Sequence, residues 1–207
     1  MHKCLLKNRY YDNPGDKILP LHVNNENVLA IKLVDLLDDA EVEKLQEYVN
    51  LLFANTDDKR RKKYAVVNNK HIGKIIHNRL PNRMIASYML GNVNYDLDEY
   101  VETVEVIKWL NGKFVKNKTF NDITGDNYLA TPEFMYITFI IGLEPPSVST
   151  KSELYRLDNP DGEPTKIKIS SKTSLMYCSS YLATRESISV SDHTKIYFHV
   201  RYRARVV

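Results

Sequence analysis

Apolar positions recur at steps of three and four in parts of the chain before Tyr100, and alternate or run together after it. The stretch Val28-Leu29-Ala30-Ile31-Lys32-Leu33-Val34 reads as a strand. Asp38 then offers its carboxylate as an N-cap, and Glu41, three residues on, completes a capping-box pattern. Val42, Leu45, Val49 and Leu52 follow at helical spacing, so residues 39–53 form an amphipathic helix. A second helix is predicted over 81–90, because Pro81 suits a first turn and Gly91 supplies a left-handed stop. Beyond Tyr100 the segments 104–110, 134–143, 152–157, 165–169, 174–178, 187–190 and 194–206 read as strands separated by Gly, Pro, Asn and Asp. Residues 1–27 are polar and turn-rich, a lead-in with at most a short strand near 18–23. Helices first and about seven strands after predict an α+β fold with a sandwich or barrel core, one domain over 28–207.

Composition narrows the classes. With 207 residues, 43% of them hydrophobic, the chain is long enough for one ordinary core. Its longest apolar runs, such as 136–143, fall short of the roughly 20 residues that cross a bilayer, so no membrane span is expected. Residues 1–9 have a basic start but no secretory apolar region. Cys4 and Cys178 alone supply no disulfide framework, and a cytoplasmic setting is expected. A net charge of +3 is too mild to imply nucleic acid. The one dense basic run, Lys59-Arg60-Arg61-Lys62-Lys63, reads as an exposed loop and as the candidate partner surface. Asn, Lys, Ile and Tyr are abundant, with 14 Tyr against 1 Trp, a bias that fits an AT-rich genome. Phosphate-loop, dinucleotide, nucleophile-elbow and Cys-x-x-Cys motifs are absent.

The order of the segments resembles the 2-oxoglutarate and iron-dependent dioxygenases, in their prolyl-hydroxylase-like branch. The resemblance rests on residues 106–114 (Val-Ile-Lys-Trp-Leu-Asn-Gly-Lys-Phe), residues 136–143, the phrase Lys151-Ser152-Glu153-Leu154, and Ser191-Asp192-His193-Thr194-Lys195 at the opening of the last strand. It covers roughly residues 28–203 and implies a double-stranded β-helix (jelly-roll) core with N-terminal supporting helices. It also implies a His-x-Asp pair and a distal His that together hold iron. Counted forward from Gly112 and Phe114, the pair falls at Lys118-Thr119-Phe120, and the distal His falls at Ala183. A protonated Lys repels a divalent cation, and Phe and Ala offer no lone pair, so all three ligand positions read as vacant. The arginine that holds the far carboxylate of 2-oxoglutarate in that family corresponds to Lys195, with Tyr197 and Arg201 further along the same face of the strand. A lysine pairs with a carboxylate as a point charge rather than as a bidentate fork. The plainer reading of that face is a solvated one, or one paired with Glu102 and Glu105.

The vacancies predict a pseudoenzyme: a catalytically inactive prolyl-hydroxylase-like protein with no metal or other cofactor. It would act by binding another protein, namely a host protein, a prolyl hydroxylase or a second copy of itself. Degenerate versions of this kind resemble those of large DNA viruses such as poxviruses. Two alternatives stay open. One is an active dioxygenase whose metal site is rebuilt from Asp122 or Asp126 with His193 or His199. The other is an anion or nucleic-acid binding module using Arg201, Arg203 and Arg205.

Overall fold

The structure is a computed structural model that describes residues 6–7, 17–22, 28–54, 62–67, 70–79, 95–109, 134–148, 150–159, 161–186 and 193–204. In chain order the elements are β1 (Ile18–His22), β2 (Val28–Val34), α1 (Asp39–Phe53), β3 (Lys62–Val67), α2 (Lys70–Asn78), β4 (Tyr95–Trp109), β5 (Phe134–Gly142), β6 (Thr150–Arg156), β7 (Thr165–Ile169), β8 (Thr173–Cys178), β9 (Leu182–Glu186) and β10 (His193–Ala204). Seven strands form one sheet in the order β1-β2-β8-β5-β10-β4-β3, and three form another in the order β7-β6-β9. Every pairing is antiparallel. This is the double-stranded β-helix that the resemblance implies, supported by α1 and α2.

Strand alternation sends the large sheet's side chains to two different cores. On one face Ile31, Leu33, Ile137, Phe139, Ile141, Met176, Cys178, Val106 and Ile196 pack against Val42, Leu45 and Val49 of α1 and Ile72, Ile75 and Ile76 of α2. On the other face Ala30, Ile140, Leu175 and Tyr177 meet Leu154 of β6, Ile167 and Ile169 of β7 and Leu182 of β9. Each fully buried Leu or Ile stabilises the fold by about 1.5–3 kcal/mol.

The capping box at the start of α1 is in place. Glu41 N donates to Asp38 Oδ1 at 2.9 Å, and Asp38 N donates to Glu41 Oε2 at 3.1 Å. The same Glu41 carboxylate receives Arg79, whose side chain is as deeply buried as its own. Arg79 Nη1 donates to Glu41 Oε2 at 3.1 Å and to Leu36 O at 2.7 Å, while Nη2 donates to Glu41 Oε1 and to Lys7 O at 2.8 Å. Lys7 N returns a bond to Glu41 Oε1 at 3.0 Å. One ion pair thus ties the residue just after α2, the start of α1 and a segment of the lead-in together.

At the far end of β5 the two sheets come close. A Cβ on Gly142 would lie 2.9 Å from the backbone of Ser170, so only glycine fits beneath the β7–β8 turn. That turn is closed by paired backbone bonds between Ser170 and Thr173. Gln46 of α1 donates to Leu143 O at 2.6 Å and fixes the helix to the same strand end.

Several expectations shift. Lys62 and Lys63 belong to β3, an edge strand, because the ladder with β4 reaches back to pair Lys62 with Trp109 and Lys63 with Lys108. The basic run is therefore not loop throughout; Lys59, Arg60 and Arg61 lie outside the described residues. The helix expected over 81–90 and the strand expected over 187–190 also lie outside them. Besides β3, two elements, α2 and β9, occupy stretches with no predicted element of that kind.

Candidate functional site

The site is built on three strands. β10 pairs with β5 so that Lys195 lies opposite Gly142, and Ile196 opposite Ile141. Ile196 enters the core beneath the helices, so its neighbour Lys195 turns the other way, between the sheets. Lys195 is 1% exposed there, and its Nζ donates to Ser152 Oγ of β6 at 2.9 Å. Ser152 shares a face of β6 with Leu154, which is part of the inter-sheet core. Thr138 of β5 and Thr184 of β9 are buried as well. Register sets Thr138 beside the inward-facing Tyr177, and Thr184 beside the inward-facing Leu154. Among the described residues, the inter-sheet space therefore combines the Lys195 ammonium group with several hydroxyls inside an apolar frame.

Glu144 borders this group. It follows β5 by two residues, is half-buried, and accepts a hydrogen bond on Oε1 from Thr194 N at 2.5 Å, the residue before Lys195. Burial pushes its carboxyl up to about 7, against the downward pull of the Thr194 hydrogen bonds and the Lys195 charge. A carboxyl at that value exchanges protons near neutrality.

With this strand order and its two sheets assembled, comparison with solved structures is decisive for the fold. The fold is that of the 2-oxoglutarate/Fe(II) oxygenases. A prolyl-4-hydroxylase from Pseudomonas putida matches with a TM-score of 0.55 and 9% identity, over 86% of this chain and 93% of that one. An oxidoreductase of the 2OG-Fe(II) oxygenase family from Burkholderia pseudomallei matches with a TM-score of 0.52 and 11% identity, over 88% and 93%. HygX from Streptomyces hygroscopicus, solved with nickel and 2-oxoglutarate bound, matches with a TM-score of 0.51 and 9% identity, over 86% and 83%. No family model matches the chain, and no curated protein matches it in sequence. At such identities the likeness is one of fold.

These neighbours overturn the expectation that the chain is no enzyme. The proteins that share its fold include a hydroxylase and an oxidoreductase. Vacancy at Lys118 and Phe120 rests on counting residues forward from Gly112 and Phe114, a count that any insertion shifts, and both positions lie outside the described residues.

The structure places the other candidates as follows. Ala183 is buried on β9, and its register partner is Tyr155. Leu182 beside it enters the inter-sheet core, so Ala183 turns to the opposite face of the small sheet. Tyr197 and Arg201 continue β10 at the register positions of Ile140 and Tyr136. Lys195 alone of the anion candidates has a described side chain, and it is buried against Ser152 rather than solvated. Glu105 is the register partner of Tyr197.

An iron ion requires donors that the described side chains do not assemble. Among the described residues no three of His, Cys, Asp and Glu come together as metal ligands. Cys178 is sealed in the helix-side core, where burial pushes its thiol up to about 12, so it is neither a thiolate ligand nor a nucleophile near neutral pH. His77 lies in that same core, edge-on to Phe139 with ring centroids 6.2 Å apart, and burial pushes it down to about 4. No described helix is long and apolar enough to cross a membrane.

Glu144, Ser152 and Arg79 were not among the residues expected to act. Ser152 sits inside a phrase that carried the family resemblance, and its place two residues before Leu154 was the available signal of its direction. Nothing in the local sequence pointed to Glu144 or Arg79.

Proposed function

We propose that the chain binds a small carboxylate-bearing organic acid between its two sheets, with 2-oxoglutarate the first candidate and Lys195 the group that anchors a carboxylate. The observation that carries this reading is the buried Lys195 Nζ, held 2.9 Å from Ser152 Oγ on the inward face of β10. An ammonium group brings three donors and a hydroxyl brings one more, which suits a carboxylate whose oxygens have several lone pairs to fill. The surrounding aliphatic frame excludes water and strengthens such a contact. That HygX shares the fold and was solved with 2-oxoglutarate bound supports the choice of ligand class.

In this reading Lys195 binds and orients the acid, Ser152 fixes the direction of the ammonium group, and the sheet interior holds the carbon chain. Titration calorimetry with 2-oxoglutarate tests it. The wild-type chain is expected to bind, and Lys195→Met to bind at least tenfold more weakly while keeping its thermal unfolding transition. Failure of the wild-type chain to bind 2-oxoglutarate, or equal binding by Lys195→Met, overturns it. Succinate formation with Fe(II) supplied measures whether turnover accompanies binding.

A further inference from the structure

Among the described residues the small sheet is narrower than the large one, and the difference leaves a margin beside it. β7 is its outer strand there and packs over β8 and β5, while β6 faces β10 through the Ser152 contact with Lys195. Past β8 the large sheet continues with β2 and then β1. Leu21 of β1 packs against the inter-sheet core, so Leu19, two residues earlier, shares that face. Leu19 is 41% exposed, and its register partner is the half-buried Lys32. We propose that an extended segment of another protein, with acidic and apolar residues in alternation, adds to β7 as a fourth strand and covers Leu19. This inference is independent of the organic-acid reading of Lys195.

Charge on the outward face of the small sheet selects such a partner. Ile167 and Ile169 enter the inter-sheet core, so Lys166 and Lys168 of β7 turn outward, and both are exposed. Lys166 has Glu153 of β6 as its register partner, and Glu153 has Arg185 of β9 on its other side. By residue type that row reads basic, acidic, basic, and the next position beyond Lys166 calls for an acid. One row along, Lys168 has Lys151 as its register partner, a like-charge neighbour that an acid on the other side of Lys168 offsets. Asp161 and Glu163 are exposed just before β7, which confines the partner's acids to the lysine positions. A strand with acids at those positions turns its intervening residues to the other face, over Leu19, where an apolar side chain takes exposed area out of water. The backbone of an outer strand supplies the hydrogen bonds. A second copy of this chain fits poorly, since β7 paired with β7 sets lysine against lysine. A single-stranded nucleic acid fits poorly too, because Tyr155, the aromatic residue on the outward face of β6, is 3% exposed and offers no stacking surface.

Fluorescence anisotropy of the full chain with a short labelled peptide of alternating glutamate and valine tests this. Saturable binding is expected, weakened about tenfold by the double variant Lys166→Glu, Lys168→Glu and about threefold by Leu19→Ser, with thermal unfolding transitions retained. The double variant is expected to bind the matching lysine–valine peptide instead, a rescue that loss of folding cannot produce. Glutamate–valine peptides N-methylated at every second residue, in the two possible frames, separate strand addition from plain charge attraction, because only alternate amides of an added strand face its neighbour. One frame is expected to bind as the parent peptide does, and the other about tenfold more weakly. Absence of binding, equal binding of the two frames, undiminished binding by the charge-reversed variant, or an oligothymidylate that binds as tightly as the peptide overturns the inference.

Discussion

Each face of the seven-stranded sheet has a long basic side chain buried beside it, and the two are satisfied in opposite ways. Beneath the helices Arg79 meets a carboxylate through both terminal nitrogens and spends its remaining donors there on the backbone carbonyls of Leu36 and Lys7. Between the sheets Lys195 meets the neutral hydroxyl of Ser152, and burial pushes the carboxyl of Glu144, which accepts from Thr194 N, up to about 7. The first arrangement is paired: the opposite charges meet within the chain and both terminal nitrogens are bonded, with only Arg79 Nε left without a hydrogen-bond partner. The second sets a cation against a hydroxyl inside an apolar frame. Pairing of this kind stabilises a fold, whereas an ammonium group beside hydroxyls in an apolar frame has the chemistry that suits a carboxylate ligand.

The largest expected effect breaks the paired side. Arg79→Met leaves the Glu41 carboxylate buried without its cation and is expected to cost about 3–5 kcal/mol in urea denaturation, with the double variant Arg79→Met, Glu41→Leu recovering much of that loss. A double variant no more stable than the single one would show that packing, rather than pairing, holds this region together. Next is the crowding at the sheet junction. Gly142→Ala pushes a methyl group against Ser170 backbone and is expected to cost about 1–3 kcal/mol, read in the same denaturation series.

The pH dependence of stability distinguishes the two sides by sign. Burial raises the Glu41 carboxyl, but bonds from Arg79, Lys7 and Asp38 outweigh it and hold the group at about 2 rather than 4.5. The native state then binds fewer protons than the unfolded chain, so this contribution is complete above pH 4.5 and is lost as pH falls toward 2. His77, pushed by burial from 6.5 to about 4, has the same sign and loses its contribution as pH falls across that range. Glu144 is opposite. Its carboxyl is raised from 4.5 to about 7, so its contribution is complete below 4.5 and is lost as pH rises through 7. Denaturation from pH 4 to 8 should therefore show Glu144→Gln gaining on the wild-type chain as pH rises. A constant difference between the two would remove Glu144 from the account.

The smallest expected effect sharpens the comparison most. Lys195→Met replaces a buried ammonium by a thioether of similar length and is expected to change stability by no more than about 1 kcal/mol, or to raise it. A loss as large as that of Arg79→Met would mean that Lys195 is as firmly paired as Arg79, leaving little for a ligand.

These differences also explain what could be read from the sequence. β5, β7, β8 and β10 are rich in β-branched and aromatic residues, and α1 announces itself through Asp38, Glu41 and its apolar spacing. By contrast α2 has nine residues with Gly73 inside and an apolar stripe of only Ile72, Ile75 and Ile76, too short for periodicity to stand out. β9 has one large aliphatic residue, Leu182, and its place comes from the ladder with β6. Lys62 and Lys63 look like loop because charge dominates the local pattern, while pairing with β4 makes them strand. The site was legible as a position, since Lys195 was singled out. Its burial was not, because alternation along β10 identifies two faces without telling which one a second sheet covers. The partners decide that, and they lie far away in sequence: Ser152 is 43 residues from Lys195, and Glu41 is 38 from Arg79.

Glu41 begins a helix and neutralises Arg79 with the same two oxygens, and it also accepts the amide of Lys7. Unfastening any one of these contacts loosens the others, so the amides of Lys7 and Asp38 would exchange their hydrogens through a single shared opening. Lys7 would then be protected from deuterium to the same degree as the first turn of α1, although more than thirty residues separate them.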